Sequence, residues 1–193
     1  NRLMARVLRI VCVGVVVGAW SGGAEAAPII FEAAGANAAS IQATVDAYRA
    51  ALGLLNPNSG GAFASGRREI NWDGVPDDRA APSFMPEGQF RGRGALFTTP
   101  GLGVQVSGDD DDDNGNTDAD PDQVEFANLN PNYPASFATF SPERLFAPVG
   151  SNVTELEFVV PGTDTPAVSN GLGVVFTDVD QPNVTEIVLL HEQ

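Results

Sequence analysis

The stretch TELEFVV, Thr154 to Val160, carries the pattern on which the fold prediction depends. Leu156, Phe158 and Val160 are apolar and occupy every second position, and Glu155 and Glu157 point the other way. In an extended strand, successive side chains point to opposite faces, so this segment has one apolar and one charged face. A period of two is typical of a strand that packs one face on a core.

Similar short runs recur on both sides of this stretch. From Gly60 onward, glycine and proline interrupt the chain about every eight to twelve residues, and the runs between them alternate or are rich in β-branched and aromatic residues. We predict strands at Arg68–Trp72, Ala95–Thr99, Gly103–Ser107, Val124–Leu129, Arg144–Val149, Thr154–Val160, Leu172–Thr177 and Thr185–Leu190. This spacing predicts a mainly β fold, a jelly-roll-like β-sandwich. Because the last predicted strand has no closing turn, we expect the sequence to be truncated at its C-terminus.

One helix precedes the predicted strands. Apolar side chains recur at intervals of four, three and four residues, at Ile41, Val45, Tyr48 and Leu52. This spacing places them on one helical face. Gly53 stands where a C-terminal cap is expected. The pattern predicts one amphipathic helix over residues 38–52, whose apolar face packs on the sheet.

Residues 1–26 have the pattern of a secretory signal. Arginines at positions 2, 6 and 9 precede the apolar stretch Ile10–Trp20, which is too short to span a bilayer of about 30 Å. Ala24-Glu25-Ala26 then offers small residues at the two positions that a signal peptidase reads. We therefore predict cleavage after Ala26 and a single domain over residues 27–193; the alternative is an uncleaved membrane anchor.

The charge balance excludes several classes of function. The chain carries a formal net charge of −15, and without residues 1–26 seven basic and 24 acidic side chains would remain, a net charge of −17. Such a surface repels nucleic acid and anionic lipid and attracts cations, so we expect no nucleic-acid partner and no membrane insertion after signal cleavage. Cys12, the only cysteine, lies in the predicted signal, so the mature chain has no disulfide, thiol nucleophile or cysteine zinc site. His191 is the only histidine and cannot build an imidazole metal site alone.

The acidic loop GDDDDDNGNTDADPDQ, residues 108–123, is a candidate calcium site. Oxygen-bearing side chains alternate around Gly115, and calcium binds six to eight such oxygens. The predicted ligands are Asp110, Asp112, Asn114, Asn116, Asp118 and Asp122. Because Pro121 stands where an EF-hand has its bidentate glutamate, the pattern favours a loop without flanking helices, resembling those of dockerins or thrombospondin type 3 repeats. The alternative is a solvated acidic insertion, which is common for runs of like charge.

The stretch GRREINWDGVPDD, Gly66 to Asp78, is the second candidate site. In one interpretation, a carbohydrate lies against Trp72, and its hydroxyls bind Arg68, Asn71 and Asp73. In a second, two placed carboxylates hydrolyse a glycan: Glu69 and Asp73, or Asp178 and Asp180. The third is structural, with Trp72 in the core and the charged side chains paired at its rim, and it is favoured because buried tryptophans are common.

Three segments resemble a known family. GRREINWDGVPD, FSPERLFAPVGSNVTELEFVVPG and GLGVVFTDVD are similar to segments of a family of uncharacterised bacterial secreted proteins, some with a C-terminal sorting tail of the PEP-CTERM type. The resemblance covers residues 39–190 and implies export and a β-rich domain, with no catalytic residues to transfer. The acidic run looks like an insertion relative to that family. We therefore expect a secreted, non-enzymatic binding or structural module of the cell surface or matrix that binds glycan and is stabilised by calcium; the alternative is a secreted glycan hydrolase.

Overall fold

The computed structural model describes residues 29–108, 124–141, 144–179, 181 and 184–190, and the backbone of residues 8–14. These residues contain seven strands and two α-helices. In chain order they are β1 (Leu8–Gly14), β2 (Ile29–Gly35), α1 (Ala38–Leu52), β3 (Ala95–Thr98), β4 (Gly103–Val106), α2 (Tyr133–Ser136), β5 (Phe146–Val149), β6 (Glu155–Phe158) and β7 (Gly171–Thr177). Short 3-10 helices lie at Trp72–Gly74, Asp77–Arg79 and Glu87–Arg93.

The strands form three small antiparallel sheets. β1 lies in the middle of a three-stranded sheet of order β2-β1-β7, with Leu8 opposite both Gly35 and Thr177. β3 pairs with β6, and β4 pairs with β5. With few helices beside these sheets, the described part of the chain is compatible with the predicted mainly β class.

Helix α1 covers one face of the three-stranded sheet. Asn37 begins it with a capping box, in which the Ser40 backbone N–H donates to Asn37 Oδ1 at 3.0 Å and the Asn37 N–H donates to Ser40 Oγ. Gly53 ends it, and its N–H donates to the carbonyls of the last turn. The bounds of residues 38–52 confirm the prediction. Three residues of the predicted apolar face are buried and form the helix cluster, which comprises Ile41, Val45 and Tyr48 and packs against Phe31, Ala33 and Val175 of the sheet.

A second and larger core is built from the two-stranded sheets β3-β6 and β4-β5 and the 3-10 segments. Its buried members, which we call the aromatic cluster, are Val75, Met85, Phe90, Ala95, Phe97, Val104 and Val106. Ile70, Trp72, Phe146 and Leu156 pack around it. Both faces of β3 and β4 are largely buried, so these short strands supply much of the core despite their length.

Three predicted strands are wrong in the structure. The segment Arg68–Trp72 runs into a 3-10 turn, because Asn71 Oδ1 accepts from the Asp73 N–H and caps it. Residues 124–129 form turns with Glu125 and Phe126 at positive φ, and the buried Phe126 supplies a carbonyl to Leu129 N–H. Thr185–Leu190 lies outside any strand. Each of the other five predicted strands overlaps an observed one.

Candidate functional site

The segment GRREINWD is held against the end of helix α1 by backbone pairing. Arg67 N–H donates to the Leu54 carbonyl and Asn56 N–H donates to the Arg67 carbonyl, both at 2.8 Å. Gly66, at φ +87°, makes this approach possible, since a Cβ there would lie 2.5 Å from the Leu54 oxygen. The glycine therefore sets where the following charged residues begin.

Glu69 is the centre of an arginine cluster. Arg67 Nε donates to Glu69 Oε1 at 2.6 Å, and an Arg49 guanidinium nitrogen donates to Glu69 Oε2 at 2.8 Å. Arg93 donates to the backbone carbonyl of Glu69. Burial favours the neutral carboxyl, but the hydrogen bond from Arg67 and the charge of Arg49 outweigh it and lower the pKa of Glu69. Glu69 is therefore a stable carboxylate that joins helix α1 to this segment.

Arg68 binds backbone carbonyls of one loop and of the 3-10 helix Glu87–Arg93. Its guanidinium donates to the carbonyls of Ser59, at 2.7 Å, and of Gly61 and Gly92, at 3.2 Å each. The guanidinium carbon lies 4.9 Å from the centre of the Phe63 ring. The pKa of Arg68 is lowered, mainly because the guanidinium is partly desolvated and to a smaller extent because Arg93 is also positively charged. The predicted glycan ligand Arg68 thus fastens the loop of residues 59–63.

Trp72 packs on the aromatic cluster. Its ring stacks on Phe146 with centroids 4.3 Å apart and an interplanar angle of 7°. It meets Phe90 and Phe97 edge-on at 5.3 and 5.4 Å. The indole is half-buried, so part of its surface reaches solvent beside Asn71, which is exposed.

Asn71 and Asp73 lie on either side of Trp72 and are joined by hydrogen bonds. Asn71 Oδ1 accepts from the Asp73 N–H at 3.1 Å and from Ser141 Oγ at 3.2 Å. Asp73 Oδ1 accepts from the Arg144 N–H at 3.1 Å. The structure therefore brings Asn71, Trp72 and Asp73 together. Arg68 is instead directed to the carbonyls of Ser59, Gly61 and Gly92.

Arg144 is a residue of this region that sequence reasoning missed. Its side chain is buried, donates to the Ser107 carbonyl at 3.2 Å and forms an ion pair with Asp77. Ser107 is itself fully buried, and its Oγ accepts from the Leu145 N–H at 2.9 Å. The available signal was an arginine directly before the apolar run LFAPV, where a buried charge needs a partner.

The predicted calcium ligands Asp110, Asp112, Asn114, Asn116, Asp118 and Asp122 lie outside the described residues. Gly108, the first residue of the acidic loop, and Val124, which follows the loop, are described, and a backbone bridge joins them. Ser107, which precedes it, is held by Leu145 and Arg144. Among the residues that the structure describes, no group of three or more His, Cys, Asp or Glu side chains is arranged to hold a metal ion.

The second pair of predicted carboxylates is only half described. Asp178 is exposed at the end of β7 with φ +58°, and Asp180 lies outside the described residues.

An open pocket of about 210 Å³ lies between Glu87, Phe97 and Thr99, apart from the residues predicted to bind glycan.

Comparison with known proteins finds no relative of this chain. The sequence matches no family model, no curated protein and no solved structure. Within the described ranges, no helix is long and apolar enough to cross a bilayer.

Proposed function

We propose that the protein is a secreted, non-enzymatic binding or structural module of the bacterial cell surface or matrix. The observation that carries this proposal is that the charged side chains of the candidate site are held by other groups of the protein. Glu69 is held by two arginines, Asp73 by a backbone N–H and Arg68 by three carbonyls. Side chains bound in this way build a rigid surface, whereas a hydrolase needs one carboxyl with a raised pKa.

Glycan is the proposed ligand of this surface. Asn71 is exposed, and the half-buried indole of Trp72 lies next to it, so a sugar ring could rest on the aromatic edge while the amide binds its hydroxyls. Asp73, oriented by the Arg144 N–H, would supply an acceptor. Because Trp72 is held by three phenylalanine rings, the surface would need little reorganisation on binding.

Calcium is the proposed ligand of the acidic loop. The support from the described residues is the stem: Gly108 and Val124 are bridged, and Ser107 is anchored to Leu145. A loop whose ends are already joined loses less conformational entropy when it closes around an ion. Bound calcium would neutralise the aspartates and stabilise the folded loop.

The full domain is proposed to be a jelly-roll-like β-sandwich exported through the leader of residues 1–26. The resemblance of its three segments to bacterial secreted proteins supports export. The two-stranded sheets β3-β6 and β4-β5, packed around one core, are compatible with the two layers of a sandwich.

A glycan-binding assay with matched variants tests the proposal. The exported chain and its Asn71→Ala variant would be compared on immobilised bacterial and extracellular polysaccharides. The control is Asn152→Ala, since Asn152 is equally an exposed asparagine but lies in the loop before β6. Binding that is lost in Asn71→Ala and kept in the control supports the proposal. Equal binding by all three chains removes the site, and glycan cleavage that Glu69→Gln abolishes would assign the hydrolase instead.

A further inference from the structure

The central strand of the three-stranded sheet lies in the predicted leader. β1, residues Leu8–Gly14, pairs along its whole length with β2 on one side and β7 on the other. Cleavage after Ala26 would remove β1 and expose two rows of unpaired backbone groups. Because β1 is antiparallel to both neighbours, a replacement must also be antiparallel to both and about seven residues long.

A segment of the same chain has the composition of a strand without being in one. Residues 184–190, VTEIVLL, are rich in β-branched and apolar residues. In the structure they lie outside the sheets, and four of their five apolar side chains are exposed, with Val188 at 64% and Leu190 at 90%, while Ile187 is half-buried. Exposed apolar residues in a row, as at positions 188–190, are typical of a surface that packs against another element or molecule.

We propose that β1 is a placeholder and that, once the leader is cleaved, Thr185–Leu190 takes its place between β2 and β7. The direction of the chain fits. Residues 185–190 follow β7 after a connection of residues 178–184, so folding back would make them antiparallel to β7, as β1 is. Asp178, at φ +58°, already turns the chain at the end of β7.

The register fits as well. If Thr185 takes the position of Leu8 opposite Thr177, then Ile187 and Val188 take the positions of Ile10 and Val11. The segments RIVCV and EIVLL then coincide at isoleucine and valine, with a charged residue before them and apolar residues after them.

The alternation of the new strand also matches the layer beneath it. The position of Ile10 is opposite Ala33 on β2 and Val175 on β7, and both of these residues pack against the helix cluster. In the proposed strand this position is held by Ile187, and the next position on the same face by Leu189. The exchange would thus bury two large apolar side chains under α1 and restore the hydrogen bonds of both edges.

This inference goes beyond the proposed glycan and calcium binding and rests only on export with leader cleavage. It implies that the sheet under α1 reaches its final pairing after export.

A disulfide test can detect the exchange, because the mature chain has no cysteine of its own. The chain with Cys12→Ser, Val174→Cys and Val188→Cys would be exported to an oxidising periplasm. Directly opposed strand residues have Cα atoms about 4.5–5.5 Å apart, within the range of about 4.4–6.8 Å that a disulfide needs. The control pair, Val175→Cys with Val188→Cys, is shifted by one residue and places the thiols on opposite faces. A second control adds Ala26→Trp to block cleavage, so that β1 stays in place.

Peptide mapping by mass spectrometry reads cleavage and crosslinking in the same sample. We expect an intramolecular 174–188 disulfide in most of the cleaved monomer, with the crosslink lost in the shifted pair and in the uncleaved chain. A crosslink that is equal in cleaved and uncleaved chains, none in either, or one that joins two molecules would overturn the proposal. Retention of residues 1–26 in the exported chain would also overturn it and would leave the glycan assay unaffected.

Hydrogen exchange of the chain without cysteine substitutions provides the second measurement. After cleavage, the amides of residues 185–190 should become protected. Fast hydrogen exchange of these amides would contradict the strand replacement, even if the cysteine variants failed to fold.

Discussion

The helix cluster and the aromatic cluster are both buried apolar cores, but they differ in size and in the segments that build them. The helix cluster has three buried members, and the sheet beneath it is completed by a strand from the predicted leader. The aromatic cluster has seven buried members and is built from residues 75–106, with partly buried neighbours at 70, 72, 146 and 156. The candidate glycan surface, which is carried by Trp72, therefore lies on the cluster that contains no residue of the predicted leader.

We expect the largest loss of stability from a substitution that leaves a cavity in the aromatic cluster. Phe97→Ala removes a ring that contacts Trp72, Phe90 and Phe146, and we expect a loss of about 3–5 kcal/mol in the free energy of unfolding. Ile41→Ala in the helix cluster should cost about 2–4 kcal/mol, because fewer buried neighbours surround it. Urea unfolding measures both, with Val168→Ala, 93% exposed, as a control that should change stability by less than about 0.5 kcal/mol. A larger loss of unfolding free energy for Ile41→Ala than for Phe97→Ala would show that the helix cluster contributes more to stability than the aromatic cluster.

The second prediction concerns the buried arginine beside the aromatic cluster. Asp77→Ala removes a carboxylate from the Arg144 guanidinium, and we expect a loss of about 1–3 kcal/mol, since a buried charge loses a charged hydrogen bond. Asp78→Ala is the matched control, because it removes the adjacent exposed aspartate from the same 3-10 helix. Thermal or urea unfolding of the two variants decides; equal stability would show that the ion pair contributes nothing.

The third prediction concerns the start of helix α1. Asn37→Ala removes the side-chain acceptor of the Ser40 N–H and should cost about 1 kcal/mol. Asn37→Asp keeps an acceptor and should retain most of the stability. Far-UV circular dichroism during urea unfolding reads both, and an alanine variant as stable as the aspartate variant would argue against the capping box.

The smallest effect should come from Glu69, which joins the two regions. Its pKa in the folded protein is lowered, so its ionisation stabilises the fold above the unfolded pKa of about 4.3, and this contribution is lost as the pH falls through the folded value. Because about a third of the side chain is exposed, we expect Glu69→Gln to cost less than about 1 kcal/mol at pH 7. Unfolding measured at pH 7 and at pH 3 should show a smaller difference between the two chains at the lower pH; a difference that grew would have the wrong sign.

Local patterns predicted the elements that are decided locally. The bounds of α1 followed from its apolar spacing and Gly53, and β3, β4, β6 and β7 followed from short apolar or alternating runs. The strand predicted at Arg68–Trp72 failed because the Asn71 side chain competes with strand pairing by capping a turn.

The candidate site was less predictable than the helix. The residue types of the glycan hypothesis lie together at Asn71, Trp72 and Asp73. Arg68 is instead directed to the carbonyls of Ser59 and Gly92, which lie 9 and 24 residues away in the sequence. Contacts of this kind depend on how separate segments pack, and no local spacing encodes them. The same is true of Arg144, whose partners Ser107 and Asp77 lie 37 and 67 residues away.

Native-state hydrogen exchange of the whole chain tests the difference between the two clusters most directly. Amide exchange would be followed at low urea concentrations for α1 and for β3 and β4. We predict that the amides of β3 and β4 exchange only through global unfolding, whereas those of α1 open earlier and at a lower free energy. A single common opening free energy for both regions, or earlier opening of β3 and β4, would contradict the account.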